Sequence, residues 1–190
     1  MSYTASKSVW TYSWTVSTSV GSTTATVSGT DLSGNPYSGN DGITFILDNA
    51  APSVVLSHNL PPAQKGTFGA SGTLKFYALF SEPMAPNPLI SISVNESGNA
   101  NDIVTGLAMT SANTSQTLWS YDFTTTSTPS NSLSSIVHGA VIVATVQGSD
   151  LSSNAYQGAD QISVNIDKEG PKFLSLERSG DNSFTANFDE

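Results

Sequence analysis

Oxygen-bearing side chains occur twice in the same order along the chain, at Asp31, Ser33, Asn35, Asp41 and Asp48 and again at Asp150, Ser152, Asn154, Asp160 and Asp167. Carboxylate and amide oxygens at alternate positions of a loop suit Ca²⁺, which takes six to eight oxygen ligands. Glu82, and Glu190 in the matching position at the end of the sequence, join this set because each follows an alternating segment that could bring it to Asp48 or Asp167 respectively. Of these residues, we expect the candidate calcium ligands to be Asp31, Asn35, Asp48, Asp150, Asn154 and Asp167, together with Glu82.

The same residue types also form turns without any metal. Asp and Asn at the start of a turn close the loop by bonding to their own backbone two residues further on. Gly34 and Gly39 can supply the positive φ angles that such turns need. From sequence alone, a structural turn and a calcium site are both open interpretations of these loops.

Other chemistry finds little support in the sequence. The chain has no cysteine, so disulfides, thiol nucleophiles and thiolate ligands are excluded. His58 and His138 lie far apart in the sequence with no clustered carboxylate partner, so we expect neither to be catalytic or zinc-binding. No Gly-x-Ser-x-Gly elbow and no phosphate-cradling glycine loop occurs. We therefore expect no enzymatic activity.

The charge balance narrows the classes of partner. Fifteen acidic and six basic residues give a formal net charge of −9. This charge balance argues against binding to nucleic acids and against electrostatic attraction to anionic lipids, since both require a basic face. No stretch is apolar and long enough to span a bilayer, so no membrane insertion is expected in this segment. The N-terminal residues lack the apolar centre of a signal peptide, so a secreted parent would carry its targeting segment elsewhere.

The two loops belong to a longer internal repeat. Residues 27–52 match residues 146–171 without a gap, at an offset of 119 positions (150 − 31), and twelve positions are identical. Self-similarity at a fixed spacing is typical of repeat architectures. A period of this length is the size of a small domain rather than of a solenoid repeat. The sequence therefore predicts tandem domains.

Alternation of apolar and polar residues predicts strands along the whole chain. We expect strands at 9–18, 23–28, 43–47, 53–58, 73–80, 88–94, 102–108, 117–124, 140–146 and 161–166, and no helix. About seven of them lie between Pro52 and Asp167, which is typical of an immunoglobulin-like antiparallel β-sandwich. The predicted core contains Leu74, Phe76, Phe80, Ile90, Ile92, Trp119, Val143 and Val164. Lys75 alternates with core residues and should face solvent.

The repeat divides the chain into three parts. Residues 1–49 correspond to the C-terminal half of an Ig-like repeat, 50–168 to a complete repeat, and 169–190 to the N-terminal strands of a further one. A half sandwich cannot cover its own apolar face. Two explanations are open: the sequence is part of a longer chain, or the tail strands of one molecule complete the head of the next by head-to-tail strand exchange.

Three motifs carry a resemblance to a known family. They are TDLSGN at residues 30–35, DNAAP at 48–52 and FSEP at 80–83. This combination resembles the tandem bacterial Ig-like repeats of large cell-surface adhesins, which act in biofilm formation, attachment and gliding motility. The second copy departs from the pattern, with Ser153 in place of Gly34 and Gly170 in place of Ala51. The resemblance implies an extracellular location on the bacterial surface, an elongated shape and no catalysis.

These observations together predict a stalk. The repeats would be non-catalytic spacers that project an adhesive tip, with Ca²⁺ stiffening the junctions and neighbouring repeats of the chain as immediate partners. A host, glycan or other surface ligand would bind through other regions. Two alternatives are a glycan- or partner-binding module, for which the repeated Tyr37 and Tyr156 are candidate contacts, and an accessory domain of a secreted enzyme.

Overall fold

The chain folds into β-structure throughout its described part. A computed structural model describes residues 2–3, 9–15, 21–62, 67–69, 73–96, 99–124 and 136–189. Within these ranges there are fifteen strands and no α-helix, and hence no helix that could cross a membrane. The strands are β1 Ser2–Tyr3, β2 Trp10–Thr11, β3 Gly21–Thr26, β4 Gly42–Leu47, β5 Val54–His58, β6 Thr67–Phe68, β7 Thr73–Phe80, β8 Leu89–Glu96, β9 Asn99–Ala108, β10 Thr110–Ser111, β11 Leu118–Thr124, β12 Val141–Gln147, β13 Gln161–Ile166, β14 Phe173–Gly180 and β15 Ser183–Phe188. The predicted all-β class is confirmed.

Strands β5 to β13 form two sheets that share one core, and this unit is called the sandwich below. One sheet has the strand order β10-β11-β7-β5, and the other has the order β6-β13-β12-β8-β9. All of the pairings are antiparallel except the short one between β6 and β13. Within the described residues the sandwich thus contains nine strands, two more than the sequence predicted. The additional strands, β6 and β10, have only two residues each, which is too short for an alternating pattern to be recognised.

The core follows the two-residue period of the strands. Along β7, Leu74, Phe76, Ala78 and Phe80 are buried, while Lys75 points outward and forms an ion pair with Asp122 at 2.8 Å. The predicted core positions are therefore confirmed, with one exception. Val143 is only half-buried, and its neighbours Ile142 and Ala144 face the core instead. The all-apolar run at 140–144 offers no polar residue to reveal which face is inside, so the alternation could be placed in either phase.

The chain enters the sandwich at one end and leaves it at the other. Val54 begins β5 opposite Phe80 at the end of β7, and this end also holds Met84, which bridges to Asp150. Because β12 and β13 are antiparallel, β13 starts at that same end and finishes at Ile166, at the opposite end. The chain therefore runs through the unit from end to end.

An N-terminal hairpin precedes the sandwich. Strands β3 and β4 pair with Thr23 opposite Phe45, and the rings of Trp14 and Phe45 meet edge to face with centroids 6.1 Å apart. Residues 12–15 are described but are not in a strand, so the predicted strand at 9–18 is shortened to β2 in the described part. Large apolar side chains remain exposed on this hairpin and the segment before it, at Trp10, Tyr12, Trp14, Val27, Ile43 and Ile46.

A C-terminal hairpin follows the sandwich and is likewise exposed. Phe173 in β14 pairs with Phe188 in β15, and their rings meet edge to face at 6.1 Å. A β-bulge lies between Phe173 and Ser175, after which Leu176 stands opposite Ala186. Apolar side chains of this hairpin point into solvent rather than into a core, at Phe173, Leu174, Leu176, Phe184 and Phe188.

Candidate metal site

The loop after β12 is closed by its first acidic side chain. The carboxylate of Asp150 accepts hydrogen bonds from the backbone N–H of Ser152 and of Asn154, each at 2.8 Å, and from the Asn154 side-chain amide, also at 2.8 Å. This is the Asx-type turn that the sequence suggested. Asp150 is only 1% exposed, which is unusual for an aspartate and makes it the one buried charged side chain among the described residues.

The corresponding loop after β3 has the same internal bonds in a different setting. Asp31 accepts from the backbone N–H of Ser33 and Asn35 and from the Asn35 side-chain amide. The side-chain bond from Asn35 is the largest cause that lowers the pKa of Asp31. The loop is fully exposed, and Asp31 is not gathered with other acidic residues in the described part of the chain. Here the turn interpretation accounts for every contact.

Two further carboxylates approach Asp150 from other parts of the chain. Asp48 ends the N-terminal hairpin after β4, and Glu82 follows β7. Together the three side chains can each offer one oxygen, with all of these oxygens within 4.8 Å of one another. Asp48, Glu82 and Asp150 are called the carboxylate triad below. The structure therefore brings together three of the predicted ligands, and they come from three separate segments of the chain.

Hydrogen bonds fix the position of Asp48 at the triad. The Ser152 hydroxyl donates to the Asp48 carboxylate at 3.3 Å, and the Asn154 side-chain amide donates to the Asp48 backbone carbonyl at 3.2 Å. The backbone N–H of Ala50 donates to the Asp48 carboxylate at 3.0 Å. The loop after β12 thus holds the end of the preceding hairpin. Ser152 was not among the predicted ligands, and its role here is to orient Asp48.

The electrostatics of the triad disfavour three simultaneous negative charges. The pKa of Glu82 is raised above its usual value, first by burial and then by the nearby charges of Asp48 and Asp150, with a further contribution from a hydrogen bond to Asp48. None of the ion pairs found within the described ranges includes a member of the triad. The cluster therefore has an excess of negative charge that a proton or a cation can neutralise.

The geometry and chemistry of the triad fit a calcium ion. Ca²⁺–oxygen distances are about 2.3–2.6 Å, so two ligands on opposite sides of one ion lie about 5 Å apart. The 4.8 Å limit on the triad oxygens is within that span. Three carboxylates supply between three and six oxygens, depending on whether each binds through one or both, and water would complete the shell. A cleft of 380 Å³ lined by Leu47, Asp48 and Asn154 lies beside the triad.

The remaining predicted ligands lie elsewhere or present the wrong atom. Asn154 and Asn35 each direct the amide nitrogen, a donor, at the neighbouring aspartate. Asp167 lies at the opposite end of the sandwich from the triad, where it accepts from the backbone N–H of Glu169 and meets His138 Nδ1 at 3.2 Å. The expectation that His138 lacks a carboxylate partner is therefore wrong. Glu190, which could have joined Asp167, falls outside the described residues.

The repeated tyrosines pack over their turns. The ring of Tyr156 meets Phe80 edge to face with centroids 6.2 Å apart, and its hydroxyl donates to Asp160. Tyr37 makes the corresponding bond to Asp41 in the exposed loop. Each ring lies across a glycine two residues later, Gly158 or Gly39, where any side chain would overlap it. This explains why a glycine recurs two residues after each tyrosine.

Comparison with family models, with curated proteins and with solved structures finds no match for this chain.

Proposed function

We propose that the chain is part of a non-catalytic, extracellular stalk of a bacterial surface adhesin, built from Ig-like β-sandwich repeats whose junctions are stiffened by Ca²⁺. The observation that carries the proposal is the carboxylate triad. Asp48 comes from the segment that precedes the sandwich, whereas Glu82 and Asp150 belong to the sandwich itself. A cation held by all three would join one unit to the next, which is what a spacer under load requires.

The path of the chain supports this role. The sandwich receives the chain beside Asp48 and releases it after Ile166 at the opposite end, so each added unit adds its full length to the string. The repeat places Asp167 at the exit where Asp48 stands at the entrance. Asp167 would then be the first ligand of the next junction, with the other two supplied by the repeat that follows.

Matching strand registers support the assignment of residues 1–49 to the C-terminal half of such a repeat. Thr23 stands opposite Phe45 in the N-terminal hairpin, and Ile142 stands opposite Val164 in the sandwich. Both residues of the first pair precede those of the second by 119 positions. The hairpin therefore has the geometry of β12 and β13.

Calcium titration tests this proposal. A ligand that binds only the native state stabilises it by RT ln(1 + [L]/Kd), so the unfolding midpoint rises with the free ligand concentration. After treatment with a chelator, we expect the melting temperature of the 190-residue chain to rise with the Ca²⁺ concentration, and we expect a heat of binding that saturates at a defined stoichiometry in calorimetry. A melting temperature that is the same in calcium and in chelator would remove the junction ion from the proposal.

A carbohydrate-binding module is the main alternative, but the contacts of the two tyrosines do not favour it. Such a site usually presents aromatic faces to the sugar, but Tyr156 packs against Phe80 and bonds to Asp160. Tyr37 is more exposed, but its hydroxyl makes the corresponding bond to Asp41 and its ring lies across Gly39.

A further inference from the structure

The two exposed hairpins carry complementary parts of the sandwich core. In β15, Phe184, Ala186 and Phe188 have the same spacing as Phe76, Ala78 and Phe80 in β7. In the sandwich these β7 side chains are at most 2% exposed, whereas Phe184 is 66% and Phe188 is 50% exposed. The C-terminal hairpin therefore exposes to solvent the side chains that are buried in the core at the corresponding positions of the sandwich.

Strand register shows that this similarity extends to backbone pairing. Phe173 stands opposite Phe188 as Val54 stands opposite Phe80, and beyond the bulge Leu176 stands opposite Ala186 as Leu56 stands opposite Ala78. Strands β14 and β15 thus form the same two-stranded element as β5 and β7. In the sandwich, that element pairs with β11 and packs its inner face on the sheet that contains β12 and β13.

The N-terminal part of the chain presents the matching counterparts. Trp10, Tyr12 and Trp14 have the spacing of Trp119, Tyr121 and Phe123 in β11, while β3 and β4 share the register of β12 and β13. The strand pairing repeats as well: β1 lies on β2 with Ser2 opposite Thr11, as β10 lies on β11 with Thr110 opposite Ser120. In the sandwich, the other edge of β11 is the one that β7 occupies.

One cavity identifies where a single side chain would be seated. Trp10, Val27 and Tyr37 line a cavity of 410 Å³ in the N-terminal part. Their counterparts in the repeat are Trp119, Val146 and Tyr156. In the sandwich, the ring of Tyr156 is packed against Phe80 at 6.2 Å. The cavity beside Tyr37 therefore corresponds to the place of Phe80, and the residue equivalent to Phe80 in the C-terminal hairpin is Phe188.

We infer that residues 1–190 bind a second copy of themselves, with Phe188 of one copy seated in this cavity of the next and the C-terminal hairpin docked on the N-terminal part. In the docked state β15 lies against β2, with Ala186 opposite Trp10 as Ala78 is opposite Trp119. The head and tail surfaces differ, so the contact is heterologous and each copy can bind one neighbour at either end. Because the joint forms between separate molecules, its occupancy depends on the protein concentration.

Cysteine cross-linking tests the register directly, because the chain has no cysteine of its own. Ser120 and Tyr77 are opposite each other on the outward face of the sandwich, and Thr11 and Thr185 are their counterparts. Phe80 N–H bonds to Thr117 across the same pairing, which makes Ser120 and Tyr77 a non-hydrogen-bonded pair. Such pairs have Cα atoms about 4.5 Å apart, within the range that a disulfide spans.

The experiment mixes two single variants, Thr11→Cys and Thr185→Cys, under a mild oxidant. We expect a disulfide-linked heterodimer in this mixture. A matched mixture of Thr11→Cys with Glu177→Cys should give far less, because Glu177 lies on β14, on the far side of β15 from the docking edge. Equal yields from the two mixtures would overturn the proposed register.

Light scattering of the unmodified chain tests association itself. We expect the mean mass to rise through multiples of the monomer mass between about 1 µM and about 1 mM. Phe188→Ser should abolish this rise, whereas Ile46→Asn should preserve it, since Ile46 corresponds to the exposed Asn165 on the outward face. A monomer at every concentration, or association that survives Phe188→Ser, would overturn the inference.

Discussion

The hydroxyl of Ser152 donates a 3.3 Å hydrogen bond to the carboxylate of Asp48, across a separation of 104 positions in the sequence. This contact ties the segment before the sandwich to the loop after β12. Asp48 also has an oxygen within 4.8 Å of oxygens of Glu82 and Asp150. Among the residues that the structure describes, the equivalent aspartate, Asp167, has no such loop beside it and meets His138 instead. Of these two matched aspartates, one therefore lies within the carboxylate triad and the other lies outside it.

That pair of aspartates offers a controlled test of metal binding. Asp48→Ala should reduce the calcium-induced rise in melting temperature to near zero, because it removes one of the three carboxylates. Asp167→Ala should leave the rise unchanged, since Asp167 is distant from the triad. Thermal unfolding of both variants with calcium and with a chelator checks this. Equal responses from the two would show that the triad is not the site.

The triad also predicts a pH dependence in the absence of metal. Because the pKa of Glu82 is raised in the folded chain, its contribution to the free energy of unfolding is fully present below the unfolded value of 4.5 and is lost as the pH rises through the folded pKa. Protonated Glu82 relieves repulsion and donates to Asp48, whereas ionised Glu82 adds a third negative charge. In chelator, the sandwich should therefore gain a stabilising contribution from Glu82 as the pH is lowered through this range.

Glu82→Gln isolates that contribution. The variant should be more stable than the parent at neutral pH in chelator, and the difference should shrink as the pH approaches 4.5, the unfolded value. Glu177→Gln, on the exposed C-terminal hairpin, serves as the control and should give no comparable trend. Urea unfolding at a series of pH values measures both. A stability difference for Glu82→Gln that is constant with pH would contradict the stated interaction.

The two copies of the Asx-type turn predict different costs for the same mutation. Asp150→Ala removes three hydrogen bonds to a buried carboxylate, and each such charge-assisted bond is worth roughly 1.5–3 kcal/mol. Some of this is offset by relief of repulsion within the triad, so we expect a net loss of about 2 kcal/mol or more. Asp31→Ala removes the same bonds where water can replace them and should leave unfolding of the sandwich unchanged. Chemical denaturation compares them, followed by the fluorescence of Trp119 in a background where Trp10→Phe and Trp14→Phe remove the other two tryptophans.

Adjacent positions of β12 test which face is inside. Ile142→Ala deletes a fully buried side chain and should destabilise the sandwich by about 2–5 kcal/mol. Val143→Ala, on the half-buried outer face, should cost about 1 kcal/mol or less. Denaturant midpoints of the two variants provide the measurement. A larger loss of stability at Val143 would mean that Val143, rather than Ile142, faces the core.

Much of the fold could be predicted because its information is local. The alternation in Leu74, Phe76, Ala78 and Phe80 defines one strand face without reference to any other segment, and the structure confirms that face. The phase of β12 could not be predicted, since consecutive apolar residues at 140–144 fit either face. Only the pairing with β8 and β13 settles it, with Ile142 between Val94 and Val164.

The site was predictable in its residue types but not in its grouping. From the sequence, Asp31 and Asp150 could not be distinguished as candidate ligands, because their loops repeat. The structure separates them through partners that are remote in sequence: Asp150 meets Asp48 and Glu82, while Asp31 meets solvent. The turn itself tolerates its change of residue, since Ser153 adopts a φ of 73° where Gly34 has 87°. A left-handed serine of this kind cannot be inferred from composition.

The direction of the chain through the sandwich determines how the fold would carry tension. A pull applied at Pro52 and Asp167 draws β5 out through one end while β13 is drawn toward the other. The hydrogen bonds between β5 and β7 lie across this force, because antiparallel bonds are perpendicular to their strands. They are therefore sheared together and would have to break as a group. An unzipping geometry would break them one at a time and would give way at a lower force.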